Sequence, residues 1–234
     1  MLRKLLIVFA SGLFLALVSL SLAWLAGGEE LRNEIHNDGI HWTFDDEDDG
    51  PRETRSFEFD PATPLSVRMP VELRFERGEE TEMRISGRAE VLDRIEVSDN
   101  VIDMPGKSVR NGGVRVVITA PTLAGLKLEA AGNVRLKELD QDSFTVSAAG
   151  AVDLDADGRV DTLDIETWGA SDLDFRDVLA RDAEVRLKGV GSADIAATGE
   201  VDVSIEGVGS VTLHKKPAKL TSQIDGVGTV KHRY

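Results

Sequence analysis

The chain of 234 residues contains no cysteine. That excludes disulfides and a thiol nucleophile, so stability has to come from a packed apolar core. Aromatic residues make up only 5 % of the chain, which counts against a sugar-processing groove. Positive charge is scarce as well, with 27 Lys and Arg against 42 Asp and Glu and a net charge of −15. Nucleic acid needs a basic patch, and anionic lipid head groups need cations, so neither partner is expected. The balance favours solubility, divalent cations or basic partners. There is no G-x-S-x-G and no phosphate-cradling G-x-G-x-x-G. The four histidines, His36, His41, His214 and His232, form no zinc-like pair. After residue 30 no stretch has helical periodicity.

What the chain does have is a repeat. From Leu126 onward a short apolar strand runs into a glycine and then into another strand, six times. The corner glycines are Gly132, Gly150, Gly169, Gly191, Gly209 and Gly228, spaced by 18, 19, 22, 18 and 19 residues. A period near 20 marks a stacked solenoid in which each coil buries its core against its neighbours. Around each glycine apolar residues alternate with polar ones, as in Leu126 and Leu128 before Gly132 and Val134 and Leu136 after it. Period-two alternation means strands with one buried face, so helical repeats are excluded. Each glycine fits a corner that needs either positive φ or close backbone approach. The predicted fold is all-β: a right-handed parallel β-helix with glycine-cornered coils of about 18–22 residues. The 22-residue spacing predicts an insertion, hence a loop, near Phe175–Asp182.

The earlier part is also β. Arg55–Phe59, Leu65–Met69, Val71–Phe75, Glu82–Ile85 and Val114–Ile118 alternate, with Gly78, Gly87 and Gly106 between them. The stretch Val71–Gly78 (VELRFERG), then Val91–Val97, then Val114–Leu128 (VRVVITAPTLAGLKL), then the G-V-G-S/T-V/A units resemble the head GIN domain family of auto-transporter adhesins. The resemblance covers residues 55–234. It implies a right-handed parallel β-helix in an exported bacterial envelope protein and brings no established reaction and no catalytic residue.

Three segments are predicted. Residues 1–26 carry Arg3 and Lys4 and then an apolar run from Leu5 to Ala26, which reads as a signal peptide or an N-terminal membrane anchor. By the positive-inside rule everything after residue 27 lies outside the cytoplasm: periplasmic, at the cell surface, or tethered to the inner membrane facing outward. Loss of that segment moves the net charge from −15 to −17. Residues 27–54, with the run Asp45-Asp46-Glu47-Asp48-Asp49, read as an acidic flexible linker. Residues 55–234 form the β-helix domain.

One constellation carries chemistry. Aligned on the corner glycines, Asp153, Asp172 and Asp194 fall three residues after the corner, and Asp155 and Asp174 fall five after it. Stacked coils would make these two carboxylate ladders with rungs about 4.8 Å apart. Like charges at that distance repel by roughly 1 kcal/mol in water. The face therefore needs hydration, raised pKa values or a cation, and calcium with its six to eight oxygen ligands is the fitting ion. A second reading overlaps it: Asp153-Leu-Asp155-Ala-Asp157-Gly158 with Asp164 has calcium-loop spacing. A plain solvated acidic face is the third. Trp168, just before a corner, offers either corner packing or a surface on which a sugar stacks.

The expected function is an exported, non-enzymatic β-helix module of the cell envelope that binds an envelope protein or a surface polymer. The alternatives are a polysaccharide-active β-helix enzyme using Asp172 with Asp174 or Asp194, and an accessory role in envelope stress sensing. No cofactor is expected beyond weakly bound calcium, and no membrane contact beyond residues 5–26. Lys231, His232 and Arg233 on the last coil discourage end-to-end stacking, which predicts a monomer or weak dimer.

Overall fold

In the computed structural model, residues 52–106 and 113–234 are described. The apolar run of residues 5–26 and the acidic run of residues 45–49 lie outside them. Among the described residues no helix is long and apolar enough to cross a membrane.

Stacked parallel coils form a β-solenoid of about five turns. Its regular part begins with β8 (Gly125–Leu128) and the long strands β9 (Gly132–Ala148), β10 (Ala151–Thr167) and β11 (Ala170–Leu187). It ends with β12 (Val190–Ala197), β13 (Glu200–Ile205), β14 (Val208–Leu213), β15 (Lys219–Ile224) and β16 (Val227–His232). The first half of each long strand belongs to one face of the solenoid. That face continues through β12, β14 and β16. The second half belongs to the other face, which continues through β13 and β15. All these pairings are parallel, as coiling in one direction requires.

Alternation explains the core. In β10, Val152, Leu154, Ala156, Val160, Leu163 and Ile165 are buried. The residues between them face outward, so one strand supplies both core and surface. Phe144 and Phe175, both fully buried, meet with ring centroids 6.4 Å apart.

The early strands are not stacked in chain order. They are β1 (Arg52–Phe57), β2 (Leu65–Val67), β3 (Val71–Arg77) and β4 (Glu82–Arg88), then β5 (Glu96–Ser98), β6 (Val101–Asp103) and β7 (Arg115–Ala120). On the first face β3 lies between β7 and β9, parallel to both. On the second face β2 lies between β6 and β8. The coil made by β2 and β3 is therefore interposed between two coils that follow it in sequence. Beyond β7 the sheet changes direction: β4 pairs antiparallel with β7, and β1 antiparallel with β4. One short helix, α1 (Ala89–Leu92), buries Val91 and Leu92 against this end. β1 begins at Arg52, so residues 52–54, read from sequence as the end of the linker, are strand.

The corners correct the repeat alignment. Gly132 lies opposite Val152, Val152 opposite Ser171, and Ser171 opposite Gly191, followed by Gly209 and Gly228. Gly150 and Gly169 sit two residues earlier, at the turn itself, on the level of Gly189, Gly207 and Gly226. The Ala170 N–H donates to the Gly150 carbonyl at 3.1 Å, Val190 to Gly169 at 3.0 Å, and Val208 to Gly189 at 2.9 Å. None of the six corner glycines has positive φ. The turn glycines are needed for close approach: a Cβ on Gly169 or Gly189 would lie under 3 Å from the carbonyl oxygen of the coil before it. With the register corrected the 22-residue spacing disappears, and so does the expected loop. β11 runs through Phe175–Asp182 as continuous strand. Its extra residues are absorbed as a register shift between Phe175 and Leu179 against β12.

Candidate functional site: a two-signed sheet face

The outward side of the first face carries the acidic constellation. Register places Asp153 opposite Asp172, and Asp172 opposite Ser192. It places Asp155 opposite Asp174, and Asp174 opposite Asp194. The predicted ladder of Asp153, Asp172 and Asp194 is thus corrected: Asp194 belongs to the other row, because its corner glycine is displaced by two residues from those of the two preceding coils. The rows are Asp153–Asp172 and Asp155–Asp174–Asp194, and the latter continues to Thr212 and Lys231.

Several of these carboxylates have partners within the fold. The Arg176 guanidinium donates to Asp174 at 2.7 Å and reaches Asp194 at 3.9 Å. That contact with Asp174, more than the burial that opposes it, holds Arg176 firmly charged. The other Asp194 oxygen meets His214 Nε2. The Ser192 hydroxyl donates to Asp172 Oδ1 at 2.5 Å. Repulsion between neighbouring rungs is thereby offset by a cation, an imidazole and a hydroxyl group. Among the described residues no three His, Asp or Glu side chains converge as metal ligands would.

The overlapping calcium-loop pattern lies in extended strand. Asp157 accepts the Glu138 N–H at 2.8 Å, and Asp164 accepts from Arg186 at 3.3 Å. Gly158 has φ +130, and a Cβ there would collide with the backbone of Leu139. Its place in the pattern follows from the bend between the two faces of β10. Trp168 stands at a corner, 47 % exposed, with Lys188 Nζ 5.6 Å from its ring centroid. That geometry is a cation–π contact. Lys188 is itself held by Glu166 at 2.9 Å.

Followed the other way, the row that contains Asp155 becomes basic. Asp155 lies opposite Arg135, Arg135 opposite Arg74, and Arg74 opposite Val117. Lys137 follows two residues after Arg135 on the same side of the strand. Arg74, Arg135 and Lys137 line a shallow open depression with Glu76. Glu72 organises its edge. Its Oε1 accepts from Arg74 Nε at 3.1 Å and Nη2 at 2.7 Å, and its Oε2 accepts from Arg115 Nε at 3.0 Å. Partial burial pushes the Glu72 carboxyl up, but the Arg115 and Arg74 contacts outweigh it and hold it below its ordinary value. Alternation marks Arg74 and Arg135 as outward-facing. It does not reveal that they are neighbours, because 60 residues of sequence separate them and only the interposed coil joins them.

A family model and one solved structure agree with this architecture. A family model described as "Putative auto-transporter adhesin, head GIN domain" matches residues 63–217. Among solved structures, one of a putative adhesin from Bacteroides fragilis is similar at 21 % identity, with 78 % of this chain and 97 % of that one covered and a TM-score of 0.63. A putative adhesin from Parabacteroides distasonis (14 % identity, 79 % and 98 % covered, TM-score 0.42) is more distant. So is a putative cell adhesion protein from Clostridium sporogenes (15 %, 78 % and 100 %, 0.37). No curated protein matches the chain. With over half its length matched by the family model, the chain belongs to the head GIN domain family.

Proposed function

We propose that this protein is an exported, non-enzymatic binding module of the bacterial cell envelope. On this reading it holds a surface polymer or an envelope protein against the outer side of its first sheet, acting as a monomer or weak dimer. The observation that carries the reading is the form of that face. Side chains are displayed in parallel rows about 4.8 Å apart on a rigid stack, with cations gathered on β3 and β9 and carboxylates on β10 to β12. Such an array suits repeated weak contacts with an extended ligand, where many contacts together give useful avidity. The carboxylates that an acid–base mechanism would use, Asp172, Asp174 and Asp194, are engaged by Ser192, Arg176 and His214. The adhesin names of the family and of the Bacteroides fragilis structure point the same way.

The test is cosedimentation of the full chain with purified envelope polymer, followed by a reducing-end assay on the same mixture. The expected result is binding with no new chain ends. Release of reducing ends that Asp172→Asn abolishes would replace this reading with an enzymatic one, and absence of sedimentation would remove the polymer as ligand.

A further inference from the structure

We propose that the depression formed by Arg74, Arg135 and Lys137 is a binding site for an anionic polysaccharide, whose acidic groups would lie along β3 and β9. This deepens the binding-module reading and rests on it.

Three observations support the assignment. First, the cations converge although the chain is strongly acidic. Arg74 and Arg135 are direct neighbours on adjacent parallel strands, and Lys137 is the next outward residue along β9. Second, the site is built. Glu72 fixes Arg74 through two nitrogens and also ties down Arg115, so the edge guanidinium is oriented before any ligand arrives. A guanidinium with its planar fork already placed recognises an oxyanion at lower entropic cost than a free lysine. Third, Arg135 and Lys137 form no ion pair among the described residues, although Glu76 lies opposite Lys137 and shares the depression. Most other outward cations among the described residues do form ion pairs, such as Arg77 with Asp140 and Arg176 with Asp174.

The openness of the site argues for a polymer over a free anion. Arg74 is 45 % exposed, and a single ion pair in such surroundings is weak because water and salt screen it. One phosphate or carboxylate would be held weakly. Several acidic groups on one chain, spaced across Arg74, Arg135 and Lys137, add their contributions without each paying again for association. The acidic rows set the direction. A polyanion following the solenoid axis past β9 would meet Asp155, Asp174 and Asp194, whose repulsion opposes it. One running parallel to β3 and β9 avoids those rows; on β3 it passes Glu76, which lies opposite Lys137, and Glu72, which Arg74 and Arg115 already engage. The same face therefore selects for an anionic ligand and fixes the way it lies.

The experiment is calorimetric titration of the full chain with hexagalacturonate, with neutral maltohexaose and with inorganic phosphate. It is repeated on the double variant Arg135→Gln/Lys137→Gln and on Arg181→Gln, an outward arginine already paired with Asp182. The expected result is hexagalacturonate binding that weakens at least tenfold in the double variant, stays unchanged in Arg181→Gln, and falls with added salt. Maltohexaose gives no heat, and phosphate binds much more weakly than the oligosaccharide. Phosphate binding as tightly as hexagalacturonate would make this a free-anion site, and equal losses in both variants would make it unspecific charge attraction. Either outcome overturns the proposal. Absence of hexagalacturonate binding, while the full chain still sediments with envelope polymer, would also overturn it and leave the broader binding role standing. The double variant's thermal transition, which removal of two exposed side chains should leave unchanged, confirms that it is folded.

Discussion

The two halves of this solenoid solve the same packing problem differently. From β9 to β16 each coil stacks on the one before it in sequence, turn glycine over turn glycine, with rows of like residues. From β1 to β7 the stack is shuffled. The coil of β2 and β3 is interposed between later coils, and the end of the sheet is closed by the antiparallel strands β4 and β1. Sequential stacking gives every coil the same neighbours, so a short repeat suffices. The interposed coil has two different neighbours, β7 and β9, from distant parts of the chain, and its residues Leu73 and Phe75 have to fit both. The regular half produces rows of one chemical type, such as the aspartates. The shuffled half brings Arg74 beside Arg135 and reverses the sign of the face.

The largest expected effects test whether the halves fold as one body. Phe175→Ala in the regular half should cost about 3–5 kcal/mol and Leu73→Ala in the interposed coil about 2–5 kcal/mol, since both side chains are fully buried. In denaturant titrations each should shift a single shared transition. Two transitions, each moved by only one of the variants, would show that the halves are independent.

Glycine substitutions sharpen the contrast at intermediate size. Gly189→Ala sets a methyl group against the Gly169 carbonyl of the previous coil and should cost about 1–3 kcal/mol. Gly87→Ala in β4 meets only side-chain atoms at ordinary contact distance, with no positive φ. It should change stability by less than about 1 kcal/mol in either direction. Equal costs, read from melting midpoints, would mean that turn stacking is no tighter than the antiparallel cap.

These substitutions also bear on what the sequence reveals. The coil period, the buried columns of β9 to β14 and the outward aspartates are legible because stacking there is local and alternation has period two. The register of the aspartate rows is not legible. Glycine occurs both at the turn (Gly150, Gly169, Gly189) and two residues after it (Gly132, Gly191, Gly209), so alignment on glycine slides two residues between coils. A two-residue slip preserves the inward–outward pattern, and burial alone does not expose it. The basic site is hidden for a different reason: it depends on which coil is interposed, a long-range choice that no local pattern records.

Acid should weaken the shuffled half through Glu72. Glu72 is held below its ordinary value of 4.5 by Arg115 and Arg74 despite partial burial. A depressed carboxyl contributes stability that is fully present above its unfolded value and is lost as pH falls through its folded one. Between about pH 5 and pH 3 the parent should therefore lose more stability than Glu72→Gln, which lacks this carboxylate. Parallel pH curves for the two proteins would contradict the role given to Glu72.

The smallest effect is expected from calcium on the acidic half. A ligand that binds only the folded state stabilises it by about 2.7 kcal/mol at a hundredfold excess over Kd. With Arg176 and His214 already on Asp174 and Asp194, excess calcium against chelator should move the melting midpoint by far less than that. A shift of several degrees that Asp174→Asn removes would instead make the row of Asp155, Asp174 and Asp194 an ion site.

The central claim is the interposed coil, because it joins the shuffled half to the regular one and creates the basic site. The chain has no cysteine, so pairs of introduced cysteines report on it without background. Glu76 lies opposite both Lys137 and Thr119 on its two flanking strands. Under mild oxidation Glu76→Cys/Lys137→Cys should form an intramolecular disulfide in the folded monomer, and Thr119→Cys/Lys137→Cys should not. The reverse outcome, a bond between positions 119 and 137 and none between 76 and 137, would mean that the coils stack in chain order and would contradict the account.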